Sequence, residues 1–68
     1  MRFSGQKLKR ARRRAGMTLQ TLAMAAAPMD RQTVWRYEAG VSTPGSDRLC
    51  RLCDALGVAL EDLHVKGR

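Results

Sequence analysis

The sequence lacks several features that would place it in other classes of protein. No apolar run approaches the roughly 20 residues that a membrane-spanning helix needs. The basic N-terminal segment is followed by more charge instead of a hydrophobic stretch, so we expect no signal peptide. The two cysteines are too few for a disulfide framework, which favours a reducing, cytoplasmic setting. The length of 68 residues predicts one domain, residues 1–68, near the lower size limit for a self-supporting core.

Positive charge is abundant and unevenly distributed. Thirteen Lys and Arg residues against six Asp and Glu give a formal charge of +7. Residues 1–15 hold seven basic side chains and no acidic one, whereas residues 16–44 hold two of each sign and residues 45–68 four of each. With 44% hydrophobic residues the chain can still collapse, which excludes a disordered basic tail. A small, basic, folded domain points first to nucleic acid, because phosphates attract such charge.

Apolar residues recur at helical spacing along the whole chain and predict an all-α bundle of five short helices. Breaks at Gly16, Pro28, residues 40–45 and Gly57 divide the chain. The helices are expected at about residues 5–15, 19–27, 31–39, 46–56 and 60–64. No segment shows the two-residue alternation of a half-buried strand. The predicted core consists of Leu8, Ala11, Ala15, Leu22, Ala23, Val34, Tyr37, Leu49, Leu52, Cys53, Leu56, Val58, Leu60 and Leu63.

The starts of the first three helices share one local pattern. Ser4, Thr18 and Asp30 can each act as an N-cap, because their side-chain oxygens accept a hydrogen bond from an N–H group of the first turn. Each has an apolar residue just before it and another four residues after it, which is the spacing of a hydrophobic staple. Helix 4 is expected to begin at Thr43-Pro44 or Ser46. Ala59 offers no cap for the last helix.

Two helices joined by a tight turn on a small basic domain suggest a helix-turn-helix. The sequence carries, in order, Gly16-Met17-Thr18, Leu22-Ala23, VWRYEAG over residues 34–40, and Leu56-Gly57-Val58. In this combination it resembles the Cro and phage-repressor-like (XRE-type) helix-turn-helix family over about residues 6–64. The resemblance implies a lambda-repressor-like DNA-binding domain. In such a domain helix 2, about residues 19–27, crosses the DNA backbone, and the recognition helix, about residues 31–39, enters the major groove.

The exposed face of the recognition helix carries side chains that can read bases. Val34 and Tyr37 lie three residues apart on one face and can pack inward, which leaves the opposite face polar. Arg forms paired hydrogen bonds with guanine, and Gln does so with adenine. By the resemblance, the expected base-reading residues are Arg31, Gln32, Thr33 and Arg36.

Phosphate contacts are expected from the start of helix 2 and from helix 1. Many family members place Gln at the first position of helix 2, where this chain has Leu19. The expected phosphate-binding residues are Thr18, Gln20, Arg10, Arg13 and Arg14. The spacing from Leu22-Ala23 to the recognition helix is one residue longer than usual, and Ala27-Pro28 replaces the usual turn glycine. The register of the contacts can therefore shift by one position, and Pro28 should end helix 2 at Ala27.

Arg12 lies at the edge of the buried face of helix 1 when residues are placed about 100° apart. Family members often pair an Arg at this place with the Glu of the Tyr-Glu-x-Gly motif. The resemblance therefore implies a partly buried structural ion pair between Arg12 and Glu38. Such a pair would fix helix 1 against helix 3.

Other chemistry finds little support in the sequence. Cys50, Cys53 and His64 offer three zinc ligands where a structural site normally needs four, so we expect no metal and no cofactor. No cysteine has a positioned base and no carboxylate pair lies in a credible cleft, so we expect no enzyme. The narrow, alanine-rich apolar face of helix 1 argues against membrane binding.

The sequence therefore predicts a small, repressor-like transcriptional regulator that binds specific double-stranded DNA. Its expected target is a palindromic operator, bound by a homodimer whose recognition helices lie about 34 Å apart. Two alternatives remain open. One is a protein-interaction module, such as an antitoxin or accessory subunit, with Trp35 as a contact residue. The other is a non-specific DNA binder.

Overall fold

The structure is a computed structural model that describes residues 2–65 of the chain. Its elements are β1 (Arg2–Phe3), α1 (Gly5–Arg14), α2 (Leu19–Ala25), α3 (Arg31–Ala39), α4 (Ser46–Leu56), a 3₁₀ turn (Leu60–Leu63) and β2 (His64–Val65). Helix α1 packs against α3 and the 3₁₀ turn, while α2 packs against α3 and α4. Within these residues no helix is both long and apolar enough to cross a membrane.

The three predicted N-caps of α1, α2 and α3 are confirmed. The side-chain oxygens of Ser4, Thr18 and Asp30 accept hydrogen bonds from the backbone N–H three residues later, at 3.2, 3.1 and 2.8 Å. All three residues have the extended backbone that an N-cap needs. Helix α4 begins at Ser46, one of the two predicted starts, and its N-cap is Gly45, which supplies no side-chain hydrogen bond.

The fifth predicted helix is wrong, and the all-α prediction is confirmed only in part. Residues 60–63 form one 3₁₀ turn, because four residues are too few for the cooperative hydrogen bonding of an α-helix. Strands β1 and β2 pair antiparallel, with Arg2 opposite Val65 and Phe3 opposite His64. Strands of two residues are too short to show an alternating pattern in the sequence. The described chain is therefore mostly helical, with four α-helices and a small two-stranded sheet.

The core lies where the four α-helices and the 3₁₀ turn meet. Its buried side chains are Leu8, Leu22, Ala23, Ala26, Val34, Tyr37, Leu52, Cys53 and Leu63. Two predicted core residues, Ala15 and Leu60, are exposed. Ala15 is exposed because α1 ends at Arg14, and Leu60 because the single 3₁₀ turn buries Leu63 instead. Ala26 was not predicted, since α2 ends at Ala25, two residues earlier than expected, and its C-cap turns into the core.

The backbones of α1 and α3 approach each other closely at Gly5. A Cβ atom at this position would contact the carbonyl oxygens of Tyr37 and Glu38, and would lie 2.8 Å from the carbonyl carbon of Glu38. Glycine alone leaves room for this approach, which holds the start of α1 against the end of α3.

Candidate nucleic-acid interface

Helix α3 turns one face to the core and the opposite face to solvent. Val34 and Tyr37 are buried, and Thr33 and Glu38 beside them are half-buried. The exposed side chains are Arg31, Gln32, Trp35, Arg36 and Ala39. At about 100° per residue, Gln32 lies near the middle of this face, and Arg31 and Arg36 lie on its two sides. Three of the four predicted base-reading residues thus share the exposed face, whereas Thr33 lies at its border with the core.

Both ends of α3 are fixed by local hydrogen bonding. At its start, hydrogen bonds from the side chain and the backbone N–H of Thr33 lower the pKa of Asp30 below its usual 3.8. At its end, Gly40 adopts the left-handed conformation with φ of 79°, which an L-residue rarely adopts. The backbone N–H of Gly40 donates back to carbonyl groups of the last turn. The exposed face is therefore carried by a helix of defined length and position.

Two arginines of α4 hold the turn and α3 in place, and neither was predicted as a site residue. Arg51 donates from Nη1 to the carbonyl of Ala27, 2.9 Å away in the turn between α2 and α3. Arg48 donates from Nη1 to the hydroxyl of Tyr37 at 3.2 Å, and this hydrogen bond raises the pKa of Arg48. Their partners are 24 and 11 residues away in the sequence, so no local pattern marks them.

An open concavity of about 450 Å³ lies between α1, α2 and α3. It is lined by Arg12, Met17, Thr18, Leu19, Gln20 and Arg31. The structure thus brings the two predicted phosphate contacts of α2, Thr18 and Gln20, together with Arg31 of the recognition helix. The hydroxyl oxygen of Thr18 also lies 2.9 Å from that of Thr21.

The predicted phosphate contacts of α1 lie elsewhere. Arg10 and Arg14 line a second concavity, of about 190 Å³, together with Lys7, Ala11 and Asp62. The two concavities share no residue, and Arg13 lines neither of them. Of the basic side chains of α1, Arg12 thus lines the first concavity, and Lys7, Arg10 and Arg14 line the second.

Arg12 and Glu38 form an ion pair between α1 and α3. The Nε atom of Arg12 lies 2.7 Å from Oε2 of Glu38, and its Nη2 atom lies 3.3 Å from Oε1. The side chains are only 11% and 6% exposed, respectively. The remaining terminal nitrogen, Nη1, donates to the carbonyl of Met17 at 2.8 Å. One guanidinium group therefore joins α1, α3 and the segment that leads into α2.

The three residues considered as metal ligands are not gathered into a site. Cys50 is exposed and Cys53 is buried on α4, where burial raises the pKa of the Cys53 thiol. The Nδ1 atom of His64 lies 2.6 Å from the carbonyl of Leu60. From residue 2 to residue 65, no group of three or more His, Cys, Asp or Glu side chains could hold a metal ion.

Comparison with known proteins matches the chain to a family and to several solved structures. Residues 5–65 match the family model described as a helix-turn-helix domain. The restriction-modification controller protein C.AhdI from Aeromonas hydrophila is 28% identical, with a TM-score of 0.83 over 88% of this chain and 89% of that one. ComR from S. thermophilus, solved with DNA and its signalling peptide ComS, is 30% identical, with a TM-score of 0.78 over 87% of this chain and 20% of ComR. No curated protein matches the chain.

Proposed function

The chain belongs to the helix-turn-helix domain family, and from this premise we propose that it is a transcriptional regulator that reads a specific double-stranded DNA sequence through α3. The observation that carries the proposal is the exposed face of α3. Arg31, Gln32 and Arg36 project from a helix that is capped at both ends and tied to α1 and α4. ComR, which has a similar domain, was solved with DNA, and C.AhdI is a controller protein.

In this proposal the side chains of α3 distinguish bases in the major groove. Gln32 has the geometry to pair with adenine, and Arg36 has the geometry to pair with guanine. Arg31 lies at the edge of the face, beside the first concavity, where it can reach a base or a phosphate. Thr33 is expected to contribute little to the base contacts, because the residue is half-buried and its backbone N–H donates a hydrogen bond to the side chain of Asp30.

Attraction to DNA and choice of sequence come from different helices. Residues 30–39 carry two charges of each sign and are neutral overall, whereas α1 holds six basic side chains and no acidic one. Long-range attraction therefore comes mainly from α1, including Arg10, Arg13 and Arg14, and a phosphate docks in the concavity at Thr18 and Gln20. Two copies on a palindromic operator would place their α3 helices about 34 Å apart.

Selection of bound sequences from random double-stranded DNA tests this proposal. We expect wild-type protein to enrich one motif. Arg36→Ala should relax the preference at one or two positions by about 1–3 kcal/mol. The matched control is Arg13→Ala, which removes the same charge from α1. It should weaken binding to all sequences alike, without changing the enriched motif.

Two outcomes would contradict the proposal. If no sequence is enriched and affinity follows salt concentration alone, the chain is a non-specific DNA binder. If the protein fails to bind duplex DNA even at low salt, its function lies outside DNA binding.

A further inference from the structure

Trp35 is the single tryptophan of the chain, and it lies on the exposed face of α3 with 54% of its surface accessible. Its neighbours on the helix surface, three and four residues away, include Arg31, Gln32 and Ala39. In the described part of the chain, aromatic rings pair between Phe3 and Tyr37 and between Phe3 and His64, and none of these pairs includes Trp35. A large apolar ring thus lies unpaired among the polar side chains of the recognition helix.

The general direction of side chains on a helix places this ring toward the N-terminal end of α3. The Cα–Cβ bonds of a helix tilt toward its N-terminus, so a side chain covers the turn that precedes it. The indole of Trp35 therefore lies over the first turn, beside Arg31 and Gln32. The N-terminal residues of a recognition helix are those that contact base edges.

The major groove presents hydrogen-bonding groups at each base pair and one apolar group, the 5-methyl group of thymine. We propose that Trp35 is a specificity-determining residue whose indole packs against the methyl group of a thymine next to the base read by Arg31 or Gln32. The inference rests on the proposed function, and it adds a base contact that hydrogen-bonding chemistry alone does not identify.

The surroundings of Trp35 favour DNA over a protein as its partner. The other large apolar side chains that are exposed in residues 2–65 are Met24, Val41 and Leu60, on α2, the loop after α3 and the 3₁₀ turn. Around Trp35 itself the surface of α3 is polar and basic. Among the described residues, no other large apolar side chain of α3 is exposed beside Trp35, and the phosphates that line the groove of DNA attract the arginines around it.

Replacing each thymine of the selected duplex by uracil tests the inference, because uracil lacks only the methyl group. For wild-type protein we expect at least one replacement to weaken binding about four-fold, the change that corresponds to about 0.8 kcal/mol for one buried carbon. In Trp35→Gln, the same pair of duplexes should bind equally well. The matched control Met24→Gln also exchanges an exposed apolar side chain for Gln, and it should keep the four-fold difference.

The fluorescence of Trp35 supplies a second readout, since no other tryptophan contributes. We expect its emission to change on titration with the thymine duplex. If no uracil replacement weakens wild-type binding, or if Trp35→Gln still discriminates, the inference is wrong while the enriched motif continues to support DNA reading. An emission that stays constant at saturating DNA would contradict a contact between Trp35 and DNA. If no motif is enriched, both proposals fail together.

Discussion

Replacing Glu38 by Gln would remove one charge from the ion pair between α1 and α3 while keeping the size of the side chain. Arg12 would stay in place, because its Nη1 atom still donates to the carbonyl of Met17. Its Nε and Nη2 atoms, now 2.7 and 3.3 Å from the two carboxylate oxygens, would face a neutral amide with one oxygen. The variant therefore leaves a charged guanidinium that is 11% exposed without a counter-charge.

The cost follows from the burial of the pair. Removing one partner of a buried ion pair costs about 3–5 kcal/mol, and removing one partner of an exposed pair costs about 0–1 kcal/mol. Because Gln keeps one acceptor, we expect Glu38→Gln to lower the free energy of unfolding by about 2–3 kcal/mol. A core of this size rarely supplies more than about 3–5 kcal/mol in total. At about 4–8 °C per kcal/mol, the melting temperature should fall by roughly 10–20 °C.

Urea and thermal unfolding, followed by circular dichroism, measure this effect. The control is Asp47→Asn, which breaks the exposed pair with Arg51, 3.4 Å apart with side chains 85% and 45% exposed. This change should cost less than about 1 kcal/mol. The double variant Arg12→Met with Glu38→Gln should be more stable than the sum of the single changes predicts. If Glu38→Gln costs no more than Asp47→Asn, the reasoning from burial is refuted.

Three further predictions concern stability and thiol chemistry. In Gly5→Ala, the new Cβ atom would contact backbone carbonyl groups of α3. The overpacking cost of about 1–3 kcal/mol should exceed the gain of about 1 kcal/mol in helix propensity, so the variant should be less stable in urea. A free energy of unfolding equal to that of wild type would contradict the close approach. The lowered pKa of Asp30 contributes stability that is present above the usual pKa of 3.8 and is lost as pH falls through the lower pKa of the folded state. Asp30→Asn should therefore flatten the acid side of a plot of stability against pH. An unchanged plot would contradict this contribution. A thiol reagent should modify exposed Cys50 quickly and buried Cys53 only on unfolding, and mass spectrometry measures both rates. Equal rates would show that Cys53 is accessible in the folded protein.

The features that the sequence predicted well depend on neighbouring residues. An N-cap involves residues three positions apart, so Ser4, Thr18 and Asp30 could be recognised from their side chains and spacing alone. The apolar pattern and Gly40 together predicted residues 31–39, the range that α3 occupies. The spacing of its apolar residues indicated the buried face, and the family resemblance implied that the opposite face contacts DNA.

The features that the sequence did not reveal depend on contacts between distant residues. The pairing of β1 with β2 joins the two ends of the described chain, and each strand has only two residues. The bond from Arg51 to the carbonyl of Ala27 spans 24 residues. The sequence predicted phosphate contacts from both α1 and the start of α2. Only the fold shows that Arg10 and Arg14 line one concavity with Asp62, whereas Thr18 and Gln20 line another.

The most direct test of sequence-specific reading by α3 is the ratio of two dissociation constants. One is measured for the selected duplex and the other for a duplex of the same composition in scrambled order, at the same physiological salt concentration. Specific DNA-binding proteins prefer their sites by at least about 10³-fold, and we predict a ratio of this size for wild-type protein. A ratio near one would contradict the account, because affinity would then come from the charge of α1 alone.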